Sequence, residues 1–302
     1  MKQQSVIGID LGGTAIKLGQ FLRDGTCLKF LTIATPQPST PQTVLRTIVE
    51  AINQLEFHKT CHCHALGVGT PGPADAQGRI AKAAINLSGW QDVPLANWLE
   101  TETGLPTTIA NDANCAGLGE TWLGAGKNFK NLIVLTLGTG VGGAIILDGR
   151  LFTGHLGAAG ELGLITLDFD GPSCKSGNQG SLEQYASVQA IRRMTRKEPI
   201  ELGQLAAKGN REALKFWEDY GYLLGAGLSS LIYILTPEAV IIGGGVSASA
   251  PYFFPATLLE IERRVLLSHR EGLQLISAKL GNKAGMIGAA KLAWKKVDKL
   301  TS

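Results

Sequence analysis

The sequence predicts an α/β protein whose core is built twice. Two segments, half a chain apart, have the same order of an apolar strand, a turn rich in glycine and threonine, and a second apolar strand. The first segment begins at Val6 and the second at Asn131. Elsewhere, apolar runs typical of strands alternate with segments typical of helices, which favours the α/β class. At 302 residues the chain is long enough for two domains, each with its own hydrophobic core.

The elements of the first half follow from local patterns. Apolar segments separated by turn residues predict a three-stranded meander over residues 5–34. Thr40 followed by Pro41 is a typical helix start, so we expect a helix from Pro41 to about Leu55. The other elements expected in this half are a strand over residues 65–69, a helix over 94–102, a strand over 107–110 and a helix over 113–123.

The second half is expected to begin with a hairpin over residues 132–147, followed by irregular structure to about residue 182 and then by helices. An amphipathic helix over residues 281–296 is expected near the end of the chain. We expect a small α/β lobe of residues 1–112, with a C-terminal helix of about residues 285–302 packed back on it. Residues 113–284 are expected to form a large α/β lobe. Because no low-complexity linker joins them, the lobes are expected to share a central cleft.

Three glycine-rich turns point to a nucleotide site. Gly12 and Gly13 allow a tight turn and close approach of the backbone, and the Thr14 hydroxyl can donate to phosphate oxygens. Asp10, directly before this turn, is placed to hold a hydrated Mg²⁺. On its own, this segment could equally be an ordinary hairpin. The second copy of the pattern, over residues 131–149, favours a nucleotide held by a duplicated core.

The third turn follows a strand of the buried type over residues 239–243 and ends in three glycines, Gly243 to Gly245. Glycines at such a position allow the backbone to approach a flat ring such as adenine. Taken together, the three turns resemble the ATP site of actin and hexokinase, which implies a two-lobed, ribonuclease H-like ATPase fold.

Other nucleotide-binding motifs are excluded by the residues that come after the glycines. Residues 138–143 match the dinucleotide fingerprint Gly-x-Gly-x-x-Gly, but that motif needs a helix next, whereas residues 144–149 indicate a strand and a tight turn. None of the glycine-rich turns ends in Gly-Lys-Ser/Thr, which excludes a P-loop. A protein-kinase loop is excluded because no His-Arg-Asp segment comes after it.

Composition excludes several classes of partner. The net charge of +3 is too small to indicate nucleic-acid binding, and the longest apolar run is interrupted by glycines, so no membrane span is expected. Five cysteines, an odd number, are typical of a reducing cytosol, and we expect a cytoplasmic protein. The first predicted strand begins so early that neither a targeting segment nor a DNA-binding domain is expected before it.

Asn111 and Asp112 lie where a strand is expected to give way to a helix. Either residue could simply cap the helix, since both types are favoured there. Alternatively, Asp112 could be a rigidly held carboxylate that accepts a proton from a substrate hydroxyl, the base that phosphoryl transfer usually takes from the protein. The pattern alone leaves both interpretations open.

Six motifs decide between them, because they occur in the order seen in the ROK family of sugar kinases and sugar-responsive repressors. The resemblance covers nearly the whole chain, from Gly8 to about Ala293, and the combination is specific. The motifs are Asp-Leu-Gly-Gly-Thr at 10–14, Gly-Val-Gly-Thr-Pro-Gly-Pro at 67–73, Asn-Leu-Ser-Gly-Trp at 86–90, Asn-Asp-Ala-Asn at 111–114, Leu-Gly-Thr-Gly-Val-Gly-Gly at 137–143 and Ala-Gly-Glu at 159–161.

The resemblance implies roles for matching residues. Asp112 is similar to the base that activates the 6-hydroxyl of the sugar. The residues similar to sugar ligands are Gly72, Asn86, Asn111, Asp112, Glu161 and Glu183. Those similar to the ATP site are Asp10, Gly12, Gly13, Thr14, Lys17, Gly138, Thr139, Gly140 and Gly244, with Asp10 also the expected Mg²⁺ ligand.

The sequence departs from the family at its structural zinc site. The family pattern supplies one histidine and three cysteines, and the corresponding positions here are Leu164, Cys174, Ser176 and Ser181. Because tetrahedral zinc needs four nitrogen or sulfur ligands, no structural zinc site is expected. The retained glycines and Glu183 suggest that the loop keeps its shape through packing and hydroxyl hydrogen bonds.

A second apparent metal motif, Cys-His-Cys-His at residues 61–64, directly precedes a predicted strand. Alternate residues of an extended segment point to opposite faces, so its four side chains are not expected to surround one ion.

The resemblance therefore implies ATP-dependent phosphorylation of a hexose at the 6-hydroxyl, with glucose converted to glucose 6-phosphate as the expected reaction and ATP and Mg²⁺ as cofactors. A homodimer or homotetramer is expected. The alternatives are a kinase for another hexose or amino sugar, such as mannose, fructose or an N-acylated sugar, a polyphosphate-dependent enzyme, and a non-catalytic sugar-sensing regulator. The presence of Asp112 disfavours the regulator.

Overall fold

The computed structural model describes residues 3–55, 61–84 and 87–301. These residues form two compact units. The first contains the chain up to Lys127, residues 151–159 and the chain from Asn282 onward, and the second contains residues 128–150 and 160–281. The chain thus passes from the first unit to the second and back twice.

The first unit contains a five-stranded sheet. Its strands are β1 (Gln3–Leu11), β2 (Ala15–Phe21), β3 (Cys27–Ala34), β4 (Cys61–Thr70) and β7 (Thr107–Asn111), in the order β3-β2-β1-β4-β7. The first three strands are antiparallel neighbours, as the predicted meander requires, and β4 and β7 add in parallel. A separate two-stranded sheet pairs β5 (Ala81–Ala83) with β6 (Gln91–Val93).

A second five-stranded sheet repeats this plan. Its strands are β8 (Leu132–Leu137), β9 (Val141–Leu147), β10 (Arg150–Phe152), β11 (Ala239–Gly243) and β12 (Gln274–Ser277), in the order β10-β9-β8-β11-β12. As in the first unit, a hairpin of antiparallel strands is followed by two parallel neighbours. The core is therefore built twice, as the sequence predicted.

Ten α-helices occur in the described part of the chain. They are α1 (Pro41–Gln54), α2 (Leu95–Thr103), α3 (Asp112–Leu123), α4 (Glu183–Ala186), α5 (Val188–Thr195), α6 (Pro199–Ala207), α7 (Arg211–Leu235), α8 (Ala250–Arg264), α9 (Leu267–Arg270) and α10 (Ala284–Thr301). Helix α1 begins where Thr40 and Pro41 predicted, and the Thr40 hydroxyl accepts a hydrogen bond from the amide of Thr43. Within the described residues, every helix is too short or too polar to cross a membrane.

The start of β4 differs from the sequence prediction. Residues 61–64 belong to β4 instead of preceding it, because Gln3 to Ser5 of β1 pair with Cys61 to Cys63. This extension results from pairing with a distant part of the chain, which the local pattern does not contain. The C-terminal helix, Ala284–Thr301, lies close to the expected range of about residues 285–302 and is longer at its C-terminal end than the amphipathic stretch of residues 281–296.

Each unit has its own apolar core. In the second unit the aromatic side chains of Trp217, Tyr220 and Phe253 are buried against one another, with ring centroids 5.1–5.8 Å apart. In the first unit, α10 lies directly on β1 and β4. Gly8 and Gly67 permit this approach, because a Cβ on either would overlap the helix backbone.

Candidate active site

The first glycine turn connects β1 and β2 in the first unit. The Gly12 amide donates to the carbonyl of Ala15 at 3.0 Å, and the Thr35 hydroxyl donates to the Gly12 carbonyl at 2.6 Å. These two bonds fix the turn from both sides, while Thr14 remains exposed. The structure therefore leaves the Thr14 side chain accessible, as the predicted phosphate contact requires.

Asp10 lies near the end of β1, just before this turn. Its carboxylate oxygen is 3.2 Å from Nζ of Lys17, its partner across the β1–β2 pair. Gly285, in the first turn of α10, also lies against the carboxylate, and a Cβ there would be 2.9 Å from Cγ of Asp10. This cradle, which leaves the Asp10 side chain partly exposed, fits a carboxylate that binds a hydrated cation.

The structure assigns separate positions to Asn111 and Asp112. Asn111 is the N-cap of α3, and its Oδ1 accepts hydrogen bonds from the amides of Ala113 and Asn114 at 2.9 and 3.1 Å. Asp112 is the first residue of the helix, and its Oδ1 accepts from the Ala113 amide at 2.8 Å. Asn111 therefore supplies the cap, so capping alone does not account for the carboxylate beside it.

The cap is also tied to the predicted sugar-binding turn. Nδ2 of Asn111 donates to the carbonyl of Gly72 at 3.1 Å. Gly72 has a φ of 77°, in the left-handed region, and a Cβ there would overlap the carbonyl of Ala83. Asn111, Asp112 and Gly72 are thus brought together in the first unit, whereas Asn86 lies outside the described residues.

The second glycine turn, residues 138–140, connects β8 and β9 in the second unit. The Gly138 amide donates to the carbonyl of Gly140 at 2.9 Å, and the Gly138 carbonyl accepts from the Val188 amide at 2.8 Å. Thr139, at the tip, is exposed. Gly244 follows the neighbouring strand β11 with a φ of 83°, and a Cβ on it would overlap the backbone of Leu137. The second and third glycine signals therefore meet at one end of the second sheet.

Glu183, the first residue of α4, contacts this glycine turn. Its Oε2 accepts a hydrogen bond from the Val141 amide at 2.9 Å, and the same oxygen lies where a Cβ of Gly140 would be. The sequence predicted Glu183 as a sugar ligand and as a retained residue of the loop that precedes it. Its contact with the glycine turn was not predicted, because it joins residues more than forty positions apart.

Glu161 has a second carboxylate in its neighbourhood. Desolvation by the surrounding protein raises the pKa of Glu161 above its ordinary value, and the charge of Glu183 raises it further. The residue keeps an exposed surface, so these effects act on a side chain that is still accessible. The carboxylate oxygens of Glu161 are hydrogen-bond acceptors and are suited to bind the hydroxyls of a polyol.

The residues at the family's zinc positions do not fit a zinc ion. Leu164 has no donor atom, Ser176 and Ser181 offer hydroxyls, and Cys174 is the one thiol. The Ser176 hydroxyl instead donates a hydrogen bond to Sγ of Cys174 at 3.3 Å. A structural zinc site needs four nitrogen or sulfur ligands, so this donor set is unsuitable.

The Cys-His-Cys-His segment divides between the two faces of β4. Cys61 and Cys63 are buried, while the rings of His62 and His64 lie 5.0 Å apart on the other face. Burial raises the pKa of the Cys63 thiol to about 12, which disfavours the thiolate that a metal would need. In the described ranges, no group of three or more His, Cys, Asp or Glu side chains could hold a metal ion.

Sequence reasoning missed Gly285. A glycine inside a helical pattern is a recognisable signal for close packing, since glycine weakens a helix. Its partner, Asp10, could not be inferred because it lies at the other end of the chain.

Comparison with known proteins places this duplicated α/β architecture among the actin- and hexokinase-like folds. The chain matches the ROK family over residues 6–296 and belongs to that family. It is 33% identical to a glucokinase of Thermotoga maritima over 312 aligned positions, which cover 97% of this chain and 98% of the relative.

Two solved structures are also similar over nearly their whole length. A ROK hexokinase from Thermus thermophilus has a TM-score of 0.87 and 35% identity, covering 98% of this chain and 99% of that one. A ROK family glucokinase from Streptomyces griseus, crystallised with glucose and AMPPNP, has a TM-score of 0.80 and 32% identity, covering 96% and 99%.

A curated repressor matches over a smaller part of its length. The xylose repressor of Bacillus subtilis is 30% identical over 235 aligned positions, which cover 75% of this chain and 60% of the repressor. Family membership alone therefore does not separate a kinase from a regulator, whereas the glucokinase likeness extends over almost the whole of both chains.

Proposed function

We propose that this protein is an ATP-dependent hexose kinase that phosphorylates glucose at the 6-hydroxyl. The observation that carries the proposal is the junction of β7 and α3. There Asn111 caps the helix and donates to the Gly72 carbonyl. The neighbouring carboxylate of Asp112 is therefore not required as the helix cap. The full-length likeness to glucokinases supports the same function.

In this proposal Asp112 accepts the proton of the sugar 6-hydroxyl as the oxygen attacks the γ-phosphorus of ATP. The bond between that phosphorus and the β,γ-bridging oxygen breaks, and ADP leaves with its electron pair. Phosphoryl transfer depends mainly on positioning and charge neutralisation, so a single rigid carboxylate is sufficient as the protein base. Asn111, Glu161, Glu183 and the backbone of Gly72 are proposed to hold the remaining sugar hydroxyls, together with Asn86.

The glycine turns are proposed to bind the nucleotide. Gly12, Gly13 and Thr14, with Gly138, Thr139 and Gly140, offer backbone amides and hydroxyls to phosphate oxygens. Gly244 is proposed to adjoin the adenosine. Asp10 would hold Mg²⁺ directly or through water, and the ion, when bound, neutralises phosphate charge. Lys17 fixes the Asp10 carboxylate and adds a positive charge beside it.

We further propose that the protein is a homodimer or homotetramer and acts in the cytoplasm. The cysteine pattern supports the compartment: Cys27, Cys63, Cys115 and Cys174 are free thiols, and three of them are buried. Free thiols of this kind are typical of a reducing environment.

A coupled assay over a panel of hexoses tests the function. With ATP and Mg²⁺, glucose should give sugar-dependent ADP formation well above the rate without sugar, and product analysis should place the phosphate on O6. The panel includes mannose, fructose, N-acetylmannosamine and N-acetylglucosamine, each also tested with polyphosphate as donor. Sugar binding without turnover for any hexose and donor would instead support a regulator.

We also expect the enzyme to discriminate only weakly between sugars that differ near C1 and C2. The side chain of Leu164 offers no hydrogen bond where the family usually has histidine, and an apolar wall discriminates only weakly against a missing or inverted hydroxyl. Mannose and 2-deoxyglucose should therefore be used within about tenfold of glucose in kcat/KM, a difference of roughly 1.4 kcal/mol in transition-state binding. Leu164→His should widen the ratio. A native preference above a hundredfold, or an unchanged ratio in the variant, would show that Leu164 is not the determinant.

A further inference from the structure

The loop that carries the family's zinc positions needs another cross-link in this chain, since its donor set does not fit the ion. The loop runs from Leu164, at the end of a short 3-10 turn (Leu162–Leu164), to Glu183 at the start of α4. Both of its ends adjoin residues that the proposed function assigns to the sugar, Glu161 and Glu183. The bonds that close this loop therefore affect the positions of the two carboxylates.

Asn178 lies at the centre of the loop's hydrogen bonds. Its Nδ2 donates to the Leu164 carbonyl at 2.7 Å, which bridges fourteen positions of the chain. Its Oδ1 accepts from the Gln179 amide at 2.7 Å and from the Thr166 hydroxyl at 3.2 Å, and its backbone carbonyl accepts from the Cys174 amide at 2.8 Å. All three polar groups of Asn178 named here are thus engaged, and the residue is partly buried.

The bond to Leu164 connects directly to the turn that carries Glu161. The Leu164 amide donates to the Glu161 carbonyl at 3.0 Å, so the Asn178 amide holds one end of a turn whose other end is Glu161. On the far side, the Leu182 amide donates to the Ile165 carbonyl at 2.9 Å, immediately before Glu183. Backbone bonds from the Leu167 and Asp168 amides to the Gly180 carbonyl, at 2.8 and 3.1 Å, also join the two arms of the loop. Among these links, the side chain of Asn178 provides the one nearest to Glu161 in the chain.

We propose that Asn178 is a positioning residue for the sugar site, and that its amide cross-link does in this chain what a metal cross-link would do. This inference rests on the proposed function, because it assigns Glu161 and Glu183 to the sugar. The cross-link joins the Leu164 position to the 174–181 segment, which are the two parts of the chain that a zinc ion would have joined. It needs no ion, and so the geometry of the site is independent of zinc.

The test compares two substitutions of Asn178 with a matched control. Asn178→Asp keeps the acceptor for Gln179 and Thr166 but replaces the donor to Leu164 with an oxygen that repels its carbonyl. Asn178→Ala removes all three side-chain bonds. Gln179→Ala changes the adjacent exposed side chain and leaves its backbone amide in place. Both Asn178 variants should raise KM for glucose about five- to tenfold, the weight of one hydrogen bond that orients a ligand, and leave KM for ATP within about twofold.

A purely structural role for Asn178 would give a different result. It would lower the melting temperature or the active fraction, while the folded enzyme kept its KM for glucose. Unchanged glucose KM in folded Asn178→Asp, or an equal rise in Gln179→Ala, overturns the proposal. If Asn178→Ala does not fold, Asn178→Asp carries the test, because it retains the acceptor bonds.

Two further measurements test the assumptions behind this proposal, namely that the loop holds no zinc and that the protein is a hexose kinase. Elemental analysis of the wild-type protein should find less than about 0.1 zinc per chain, and a chelator should leave glucose KM unchanged, since structural zinc needs four ligands. One zinc per chain whose removal raises glucose KM contradicts the proposal. Calorimetric titration with glucose alone tests the positioning role separately from the kinase function. Weakened glucose binding in Asn178→Asp supports the positioning role even if the wild type shows no turnover. Turnover by the wild type, together with unchanged glucose affinity in the variant, contradicts the positioning role and leaves the kinase function standing.

Discussion

Asp112→Asn should lower kcat by about 10²–10⁴, the usual contribution of general-base catalysis, while KM for glucose changes little. The substitution keeps the size of the side chain and the oxygen that accepts from the Ala113 amide. It removes the negative charge and the ability to take the proton of the 6-hydroxyl. Initial rates with saturating ATP and Mg²⁺, together with glucose affinity measured without turnover, provide the comparison.

Helix stability offers the alternative explanation for Asp112, and the structure supplies a control for it. A carboxylate in the first turn of a helix stabilises it by roughly 0.3–1 kcal/mol through the helix dipole. Helix α7 has a similar arrangement, with Asn210 as the cap and Glu212 as the second residue of the helix. Glu212→Gln should reproduce the small loss of melting temperature and leave kcat unchanged. A near-normal kcat in Asp112→Asn would reduce Asp112 to this structural role.

The repeated hairpins could be predicted from the sequence because their signal is local. Apolar strands that flank glycine and threonine have a recognisable period and turn chemistry, and the second copy confirmed the first. The start of α3 was local in the same way, since Asn111 bonds amides only two and three residues away. Which of Asn111 and Asp112 caps the helix could not be decided from the sequence, because both residue types are favoured as caps.

Contacts between distant segments could not be predicted. The bond from Asn178 to Leu164, the contact of Glu183 with the Gly140 turn and the position of Gly285 against Asp10 all join parts of the chain that the fold alone brings together. The expectation that hydroxyl hydrogen bonds keep the 164–183 loop in shape was incomplete for the same reason. Ser176 does bond Cys174, but the side chain that reaches Leu164 is an amide.

Gly285→Ala should lower kcat by roughly 10- to 100-fold without loss of stability, although the residue is outside every sequence motif. A Cβ at this position would be 2.9 Å from Cγ of Asp10 and 3.0 and 3.1 Å from its two oxygens, closer than such contacts normally are. The carboxylate can move away, but only out of the position that Lys17 and α10 now define. Alanine is also favoured over glycine within a helix by about 1 kcal/mol, so the melting temperature should not fall.

The next glycine of the same helix gives the contrasting result. A Cβ on Gly288 would overlap the backbone carbonyl of Cys115 in α3, which cannot rotate away. Gly288→Ala should therefore destabilise the fold by about 1–3 kcal/mol, the usual cost of overpacking. If both variants lost stability equally, the lower activity of Gly285→Ala would result from loss of folded protein and not from displacement of the Asp10 carboxylate.

A double-mutant cycle decides whether Gly285 acts through Asp10. Substitutions that operate on one group are not additive, so Gly285→Ala should have almost no further effect on kcat in an Asp10→Ala background. The Mg²⁺ concentration that gives half-maximal rate should rise in the single Gly285→Ala variant, while KM for glucose stays constant, because the displaced carboxylate is the proposed ligand of the ion. Fully additive effects, or an unchanged Mg²⁺ requirement, would mean that α10 influences the reaction by a route other than Asp10. If the two substitutions are not additive and the Mg²⁺ requirement rises, Gly285 acts through Asp10. The close contact between the first turn of α10 and the end of β1 is then the feature that fixes the Asp10 carboxylate for catalysis.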